Sequence, residues 1–298
     1  MALDNVAASG SEQRFPFWIE FVIAPPLPRR HSVAKDYAKV GTLRELWDYR
    51  ELFYFLAWRE VKLRYKQTAL GVLWAVLQPF FTMVIFTALF GRLAKIPTDG
   101  IPGPIFYFSA LLPWTYFSST LSTAGLSLVA NSNLLSKIYF PRIILPAAPA
   151  ISSLLDFFIG SALLVGFIAY YRIPLGWNLL LWPVLIVPLA LLALGVGSFL
   201  AALNVKYRDV RYALPFAIQL WLFGTPIIYP SSFVPERFQW LLALNPLSWI
   251  IEAFRHALVP SQPIHWGALG LSLAVNVMVL VAGVSYFRRT EKAFADIV

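Results

Sequence analysis

The sequence predicts an all-α membrane protein with six transmembrane helices, an N-terminal amphipathic interface helix, and re-entrant helices between spans 5 and 6. Of the 298 residues, 59% are hydrophobic and only 13% are charged, whereas soluble domains have about 45–50% apolar and about 25% charged residues. The apolar residues fall into blocks of about 20, the helix length that crosses a ~30 Å hydrocarbon layer. These observations exclude a single soluble globule.

The chain divides into an N-terminal extension (1–41), an amphipathic interface helix (42–66) and a transmembrane domain (67–298). The extension does not have the pattern of a cleaved signal peptide, because acidic residues precede its only apolar stretch. Thr42 and Glu45 have the spacing of a capping box, which predicts that a helix begins there. The candidate residues at the end of this helix are Arg59, Lys62, Arg64, Tyr65 and Lys66. Such a basic, aromatic helix suits an anionic leaflet; a solvated helix packed on a soluble partner is the alternative.

Six segments are long and apolar enough to cross a bilayer, at 70–91, 105–130, 142–170, 177–203, 212–230 and 266–287. Of the 24 Lys and Arg residues, 19 lie in residues 1–69, the 131–142 and 204–211 loops, and the C-terminal tail. Since basic residues mark the cytoplasmic side, both termini are expected to be cytoplasmic. The net charge of +9 is therefore expected to mark orientation and docking, and no nucleic-acid partner is expected.

Residues 233–258 are long enough to cross but too polar for an ordinary span, since each charge at mid-bilayer costs at least a few kcal/mol. A seventh span would also place Arg288 and Arg289 outside, against the charge rule. The segment breaks near Asn245 and Pro246. We therefore expect two short helices that dip back from the outer face.

Signatures of catalytic and cofactor chemistry are absent from the sequence. There is no GxxxxGK[ST], HExxH, GxSxG or GxGxxG motif and no cysteine, so no catalytic residue, bound cofactor or metal site is predicted. Asp156 is the exceptional acidic residue within a span, and we expect Ser152 and Ser153 to satisfy it locally. The sequence indicates a conduit whose energy comes from elsewhere.

Four stretches resemble one family, the ABC-2 type permeases of polysaccharide exporters. They are WREVKLRYKQTALGVLWAVLQP (58–79), NSNLLSKIYFPRIILP (131–146), LNVKYRDV (203–210) and LNPLSWIIEAFR (244–255). Their order and spacing are similar to those of permeases for O-antigen, capsular polysaccharide and teichoic acid. The resemblance leaves residues 1–41 outside.

The resemblance implies a homodimer in the bacterial inner membrane, in contact with membrane lipids and driven by two copies of a cytoplasmic ABC ATPase that uses ATP and Mg. It implies that the 131–142 loop couples to the ATPase through Asn131, Asn133, Leu134, Leu135, Lys137, Tyr139, Phe140 and Arg142. An amphipathic turn lying on lipid is the alternative for this loop. The implied outer gate comprises Asn245, Pro246, Glu252 and Arg255, where Glu252 and Arg255 can pair with each other or across the dimer.

Aromatic and hydroxyl residues on the spans are candidates for a pore lining: Trp74, Phe81, Phe86, Trp114, Tyr116, Ser119, Trp221 and Tyr229. Aromatic rings suit the apolar faces of sugars, although belt residues and helix packing explain the same pattern. The expected function is the transmembrane subunit of an ATP-driven exporter of a lipid-linked polysaccharide. An ABC-2 permease for another lipid or small hydrophobic substrate and, in another class, a membrane glycan-processing enzyme are the alternatives.

Overall fold

The computed structural model describes residues 47–66, 71–137, 140–174, 176–259 and 264–291. Its α-helices there are α1 (Arg50–Tyr65), α2 (Trp74–Phe86), α3 (Gly103–Ala130), α4 (Ser132–Lys137), α5 (Ile144–Tyr170), α6 (Leu181–Lys206), α7 (Val210–Phe223), α8 (Gln239–Leu244), α9 (Ser248–His256) and α10 (Trp266–Glu291). Short 3-10 turns occur at Gly71–Leu73, Trp177–Leu180, Ser231–Phe233 and Glu236–Phe238, and a π-helical segment, Thr87–Leu93, continues α2. The all-α fold class is confirmed for these residues.

Four helical segments among the described residues are long and apolar enough to cross a membrane: Gly71–Leu93, Ile144–Tyr170, Trp177–Lys206 and Trp266–Glu291. The predicted span 105–130 corresponds to α3, a helix of 28 residues that is less apolar because it carries many hydroxyl side chains. The predicted bounds of the span 212–230 are wrong. Its helix α7 has only 14 residues, about 21 Å of rise, and ends where Gly224, Thr225 and Pro226 turn the chain.

Helix α3 lies at the centre of the helical bundle and packs against α5 and α6. Residues 105–117 of this helix are almost wholly buried, including Phe106, Tyr107, Phe108 and Phe117. A second aromatic group joins α5, α6 and α9, where Trp182 donates a hydrogen bond to the carbonyl oxygen of Phe254 at 2.9 Å. This core fixes the helices whose other faces form the cavity described below.

Helices α6 and α10 approach each other through two glycines. A Cβ atom on Gly195 would lie 2.7 Å from Cα of Leu280, and one on Gly283 would collide with the carbonyl oxygen of Gly195. Small residues let helix backbones come into contact in a membrane, where apolar burial alone drives little association. These glycines therefore set the separation of α6 and α10.

Helix α1 follows the predicted interface helix from residue 50 onward, while its predicted start at Thr42 and the whole extension 1–41 lie outside the described residues. It packs against α5 and buries Leu56 and Ala57. Tyr54 and Trp58 stay exposed on its surface. The helix thus offers an aromatic and basic outer surface while its inner side rests on the bundle.

Candidate functional site

A cavity of about 510 Å³ lies between the end of α1, the start of α2, the middle of α7, and the facing sides of α3 and α5. Its volume falls within the about 300–1,000 Å³ of small-molecule sites. Polar side chains form much of the wall: Arg64, Gln78, Thr115, Ser118, Ser119, Ser122, Ser153 and Asp156. Trp74, Tyr116 and Phe157 add aromatic surface. A cavity with this lining is suited to a ligand that has both hydroxyl groups and apolar faces.

Gly71 lies just before α2 and lines the cavity. Gly71 has a φ of +48°, a left-handed conformation that glycine adopts without the steric cost of a Cβ atom.

Asp156 is held by α1, not by its own helix. Its carboxylate accepts hydrogen bonds from the Arg64 guanidinium and the Tyr65 hydroxyl. The predicted local satisfaction is wrong: Ser152 donates to the carbonyl oxygen of Pro149 at 3.2 Å, and the Ser153 hydroxyl has no hydrogen-bond partner in the described structure. Asp156 is about 18 Å from the start of α5, since it follows Ile144 by 12 residues at 1.5 Å each. The pair therefore ties the end of α1 to the middle of a membrane helix.

The hydroxyl residues of α3 lie on one helix face, because Thr115, Ser118, Ser119 and Ser122 follow i, i+3, i+4 and i+7 spacing. The Ser118 hydroxyl also bonds to the carbonyl oxygen of Thr115 at 3.2 Å. Beside them, the Tyr116 hydroxyl donates to the carbonyl oxygen of Ala150 at 3.0 Å, which fixes its ring at the wall. We call Thr115, Ser118, Ser119 and Ser122 the hydroxyl face of α3.

Three of the eight pore candidates, Trp74, Tyr116 and Ser119, meet at the cavity. The other five lie elsewhere. Phe81 is exposed, and Trp114 is buried in the core. Phe86 packs on the rings of Phe90 and Tyr107. Trp221 donates a hydrogen bond to Asn245, and the Tyr229 hydroxyl donates one to the carbonyl oxygen of Phe223. Sequence reasoning assigned Arg64 and Tyr65 to another role and Gln78 to none. Asp156, the acidic residue within a predicted span, was the sequence feature that indicated this cavity.

Several residues of the predicted coupling segment, 131–142, contact the rest of this chain and do not face outward. Asn131 accepts a hydrogen bond from Arg59, Phe140 is 4% exposed, and Arg142 donates to the carbonyl oxygen of Glu291 at 2.7 Å. On α4 itself, Asn133 and Lys137 are exposed while Leu134 and Leu135 are half-buried. Tyr139 lies outside the described residues. The surface that this segment offers to a partner is therefore α4.

The remaining basic candidates on α1 have local contacts. Arg59 pairs with Glu60 at 3.3 Å, in addition to its bond with Asn131. Lys62 lies over the ring of Trp58 at 5.9 Å, and Lys66 is exposed. Arg59 thus links α1 to the turn before α4.

The four gate candidates form hydrogen bonds around α8 and α9, where Asn245 and Pro246 are half-buried and Glu252 and Arg255 are buried. Asn245 accepts from Trp221 at 2.9 Å and donates to the carbonyl oxygen of Gly224 at 3.0 Å, and the carbonyl oxygen of Pro246 accepts from Ser272. A direct pair between Glu252 and Arg255 is not formed among the described residues. Both side chains are buried and have other partners.

Glu252 accepts from Ser231, and its Oε1 lies 3.8 Å from Nε2 of His256. Arg255 donates to the carbonyl oxygens of Pro226 and Ile227 at 2.9 and 3.3 Å. Its guanidinium also lies 3.7 Å from the ring centroid of Phe106. Burial lowers the pKa of the Arg255 guanidinium to about 10, so this side chain keeps its charge at neutral pH.

Helices of membrane-spanning length around a cavity of mixed polar and apolar lining define the class as a multi-pass membrane protein. Residues 51–259 match the family described as ABC-2 type transporter, and the chain belongs to this family. The resemblance noted in the sequence is thereby confirmed, and the family is one of permeases, not of enzymes.

Named relatives extend over most of the chain. An O-antigen export system permease protein RfbA of Myxococcus xanthus is 32% identical over 86% of this chain and 99% of its own length. A protein of the same name from Klebsiella pneumoniae is 27% identical over 80% of this chain and 92% of its own length. The polysialic acid transport protein KpsM of Escherichia coli is 25% identical over 79% of this chain and 92% of its own length.

Proposed function

We propose that this chain is the transmembrane subunit of an ATP-driven exporter that moves a lipid-linked, O-antigen-like polysaccharide across the bacterial inner membrane. The observation that carries the proposal is the similarity to an O-antigen export permease over 86% of this chain and 99% of the relative. A shared family domain alone would leave the cargo open, since ABC-2 permeases as a class are defined by their membrane domain. The extent of the match favours a common cargo class.

The working assembly would be a homodimer with two copies of a separate ABC ATPase that binds ATP and Mg. The outer surfaces of α1 and α4 would contact that ATPase, and the Arg59–Asn131 hydrogen bond supports their moving together. In this arrangement the chain crosses the membrane six times with both termini cytoplasmic. Helices α8 and α9 dip back from the outer face as the gate, and membrane lipids surround the dimer. Residues 1–41 would be an extension to the transport domain.

Deletion of the gene in its host, followed by complementation, tests the proposed function. Loss of this permease is expected to remove the polysaccharide from the cell surface and to leave it lipid-linked inside the cell, with recovery when the intact chain is supplied. The purified chain alone is expected to hydrolyse no ATP, because it has no phosphate-binding motif. Unchanged surface polysaccharide in the deletion strain would instead favour a permease for another lipid.

A further inference from the structure

We propose that the cavity beside Asp156 is a binding subsite for an uncharged stretch of sugar and that it disfavours acidic glycans. This inference rests on the proposed export function and adds the charge class of the cargo. Among the described lining residues, Arg64 and Asp156 are the ones that carry a formal charge, and they form an ion pair with each other. The described part of the wall therefore has no net charge to offer a ligand.

An acidic sugar would be poorly matched to this wall. Its carboxylate would lose water without gaining an available cation, because the guanidinium of Arg64 is already paired with Asp156. It would also come close to the carboxylate of Asp156. Placing a charge in a partly buried site without a counter-charge is unfavourable, so the cavity selects against it.

An uncharged sugar, by contrast, finds matching groups on the wall. The hydroxyl face of α3 offers donors and acceptors, and the indole of Trp74, 52% exposed, offers a flat surface for the apolar face of a sugar ring. Ser153 is fully buried, lines the cavity, and its hydroxyl has no hydrogen-bond partner within the described part of the chain. Because this hydroxyl is closed off from the open part of the cavity, the match with an uncharged sugar rests on the hydroxyl face of α3 and on Trp74.

A single-cysteine reporter tests the proposal, because the sequence contains no cysteine. The full chain carrying Ser119→Cys is placed in lipid nanodiscs and labelled with an uncharged maleimide, with either neutral maltoheptaose or acidic heptagalacturonic acid present. Maltoheptaose is expected to slow labelling. The acidic sugar should need at least about tenfold higher concentration for equal protection. A tenfold difference in affinity corresponds to ~1.4 kcal/mol, and the free-energy cost of placing an unbalanced charge in a partly buried site is larger than that. Ser232→Cys, at an exposed position away from the cavity, is the control that neither sugar should protect.

Charge variants then separate charge selection from general damage to the fold. Asp156→Asn leaves the Arg64 charge unbalanced, so the acidic sugar should become the better protector. The double variant Arg64→Gln with Asp156→Asn is neutral again and should return to preferring maltoheptaose. Because both variants lack the ion pair, loss of folding would not reverse the preference in one and restore it in the other.

The outcomes also separate this proposal from the export function. Equal protection by both sugars, or protection by neither, overturns the neutral-sugar subsite while leaving export to be judged by the deletion strain. The expected order of protection in a chain whose deletion leaves surface polysaccharide unchanged would support the subsite and overturn the export role.

Discussion

The guanidinium of Arg64 at the end of α1 donates a hydrogen bond to the carboxylate of Asp156 in the middle of α5. The two residues are 92 positions apart in the chain, and their side chains are 27% and 20% exposed. Tyr65 adds a second donor to the same carboxylate. The end of α1 is thus anchored at a point within the membrane domain, beside the cavity.

Removing Arg64 should destabilise the protein by leaving the Asp156 carboxylate short of a partner. Because the pair is partly buried, we expect Arg64→Gln to lower the free energy of unfolding by about 1–3 kcal/mol. The measurement is thermal or denaturant unfolding of the purified chain in detergent, within a double-mutant cycle that includes Asp156→Asn. The double variant should lose less than the sum of the two single losses.

Lys62→Gln is the matched control on the same helix. Lys62 is exposed and lies over the ring of Trp58, so removing its charge should change the free energy of unfolding little. Strict additivity in the cycle would contradict an energetic coupling between Arg64 and Asp156.

The anchoring of Asp156 shows where prediction from the sequence ends. Apolar blocks of span length were sufficient to predict an all-α membrane protein, because they depend on local composition. The partner of Asp156 depends on tertiary packing, so reasoning from near neighbours chose Ser152 and Ser153 in place of Arg64. In the same way, helical spacing placed Glu252 and Arg255 on one face, but the carbonyls of Pro226 and Ile227 come from another segment and take the guanidinium.

The close approach of α6 and α10 should be intolerant of even one methyl group. In Gly283→Ala the new Cβ would collide with the carbonyl oxygen of Gly195, and both contacting atoms belong to backbones, so the helices must separate. Overpacking of this kind costs about 1–3 kcal/mol or more. The melting temperature and the yield of folded protein measure the effect.

Gly270→Ala on the same helix is the matched control, because a Cβ there would meet nothing within 4 Å. It should be neutral or raise stability by up to about 1 kcal/mol, the usual gain for alanine in a helix. If both substitutions had the same effect, the glycine contact would not set the helix separation.

Arg255 should be required for folding of the segment around α9. Arg255→Met removes the donor to the carbonyl oxygens of Pro226 and Ile227 and the cation over Phe106. We expect a loss of roughly 2–4 kcal/mol in the free energy of unfolding, since buried hydrogen-bond acceptors are left without partners. Arg237→Met is the control, because Arg237 is exposed and lies over the ring of Phe238. Similar losses in both would contradict a special role for the buried guanidinium.

The surface of α4 should carry the contact with the proposed ATPase. Leu135 is half-buried on this six-residue helix, and Leu135→Glu would place a charge in an apolar contact, so export should fail while membrane insertion and yield stay unchanged. Leu135→Met keeps the apolar contact and should export normally, since swaps of similar volume are tolerated. The readouts are surface polysaccharide in the complemented strain and stimulation of the ATPase in a reconstituted complex.

Tyr139→Glu, at a position outside the described residues, should behave like Leu135→Glu if the whole predicted segment couples. Normal export by Leu135→Glu would show that the ATPase contact lies elsewhere, with the outer surface of α1 the next segment to test.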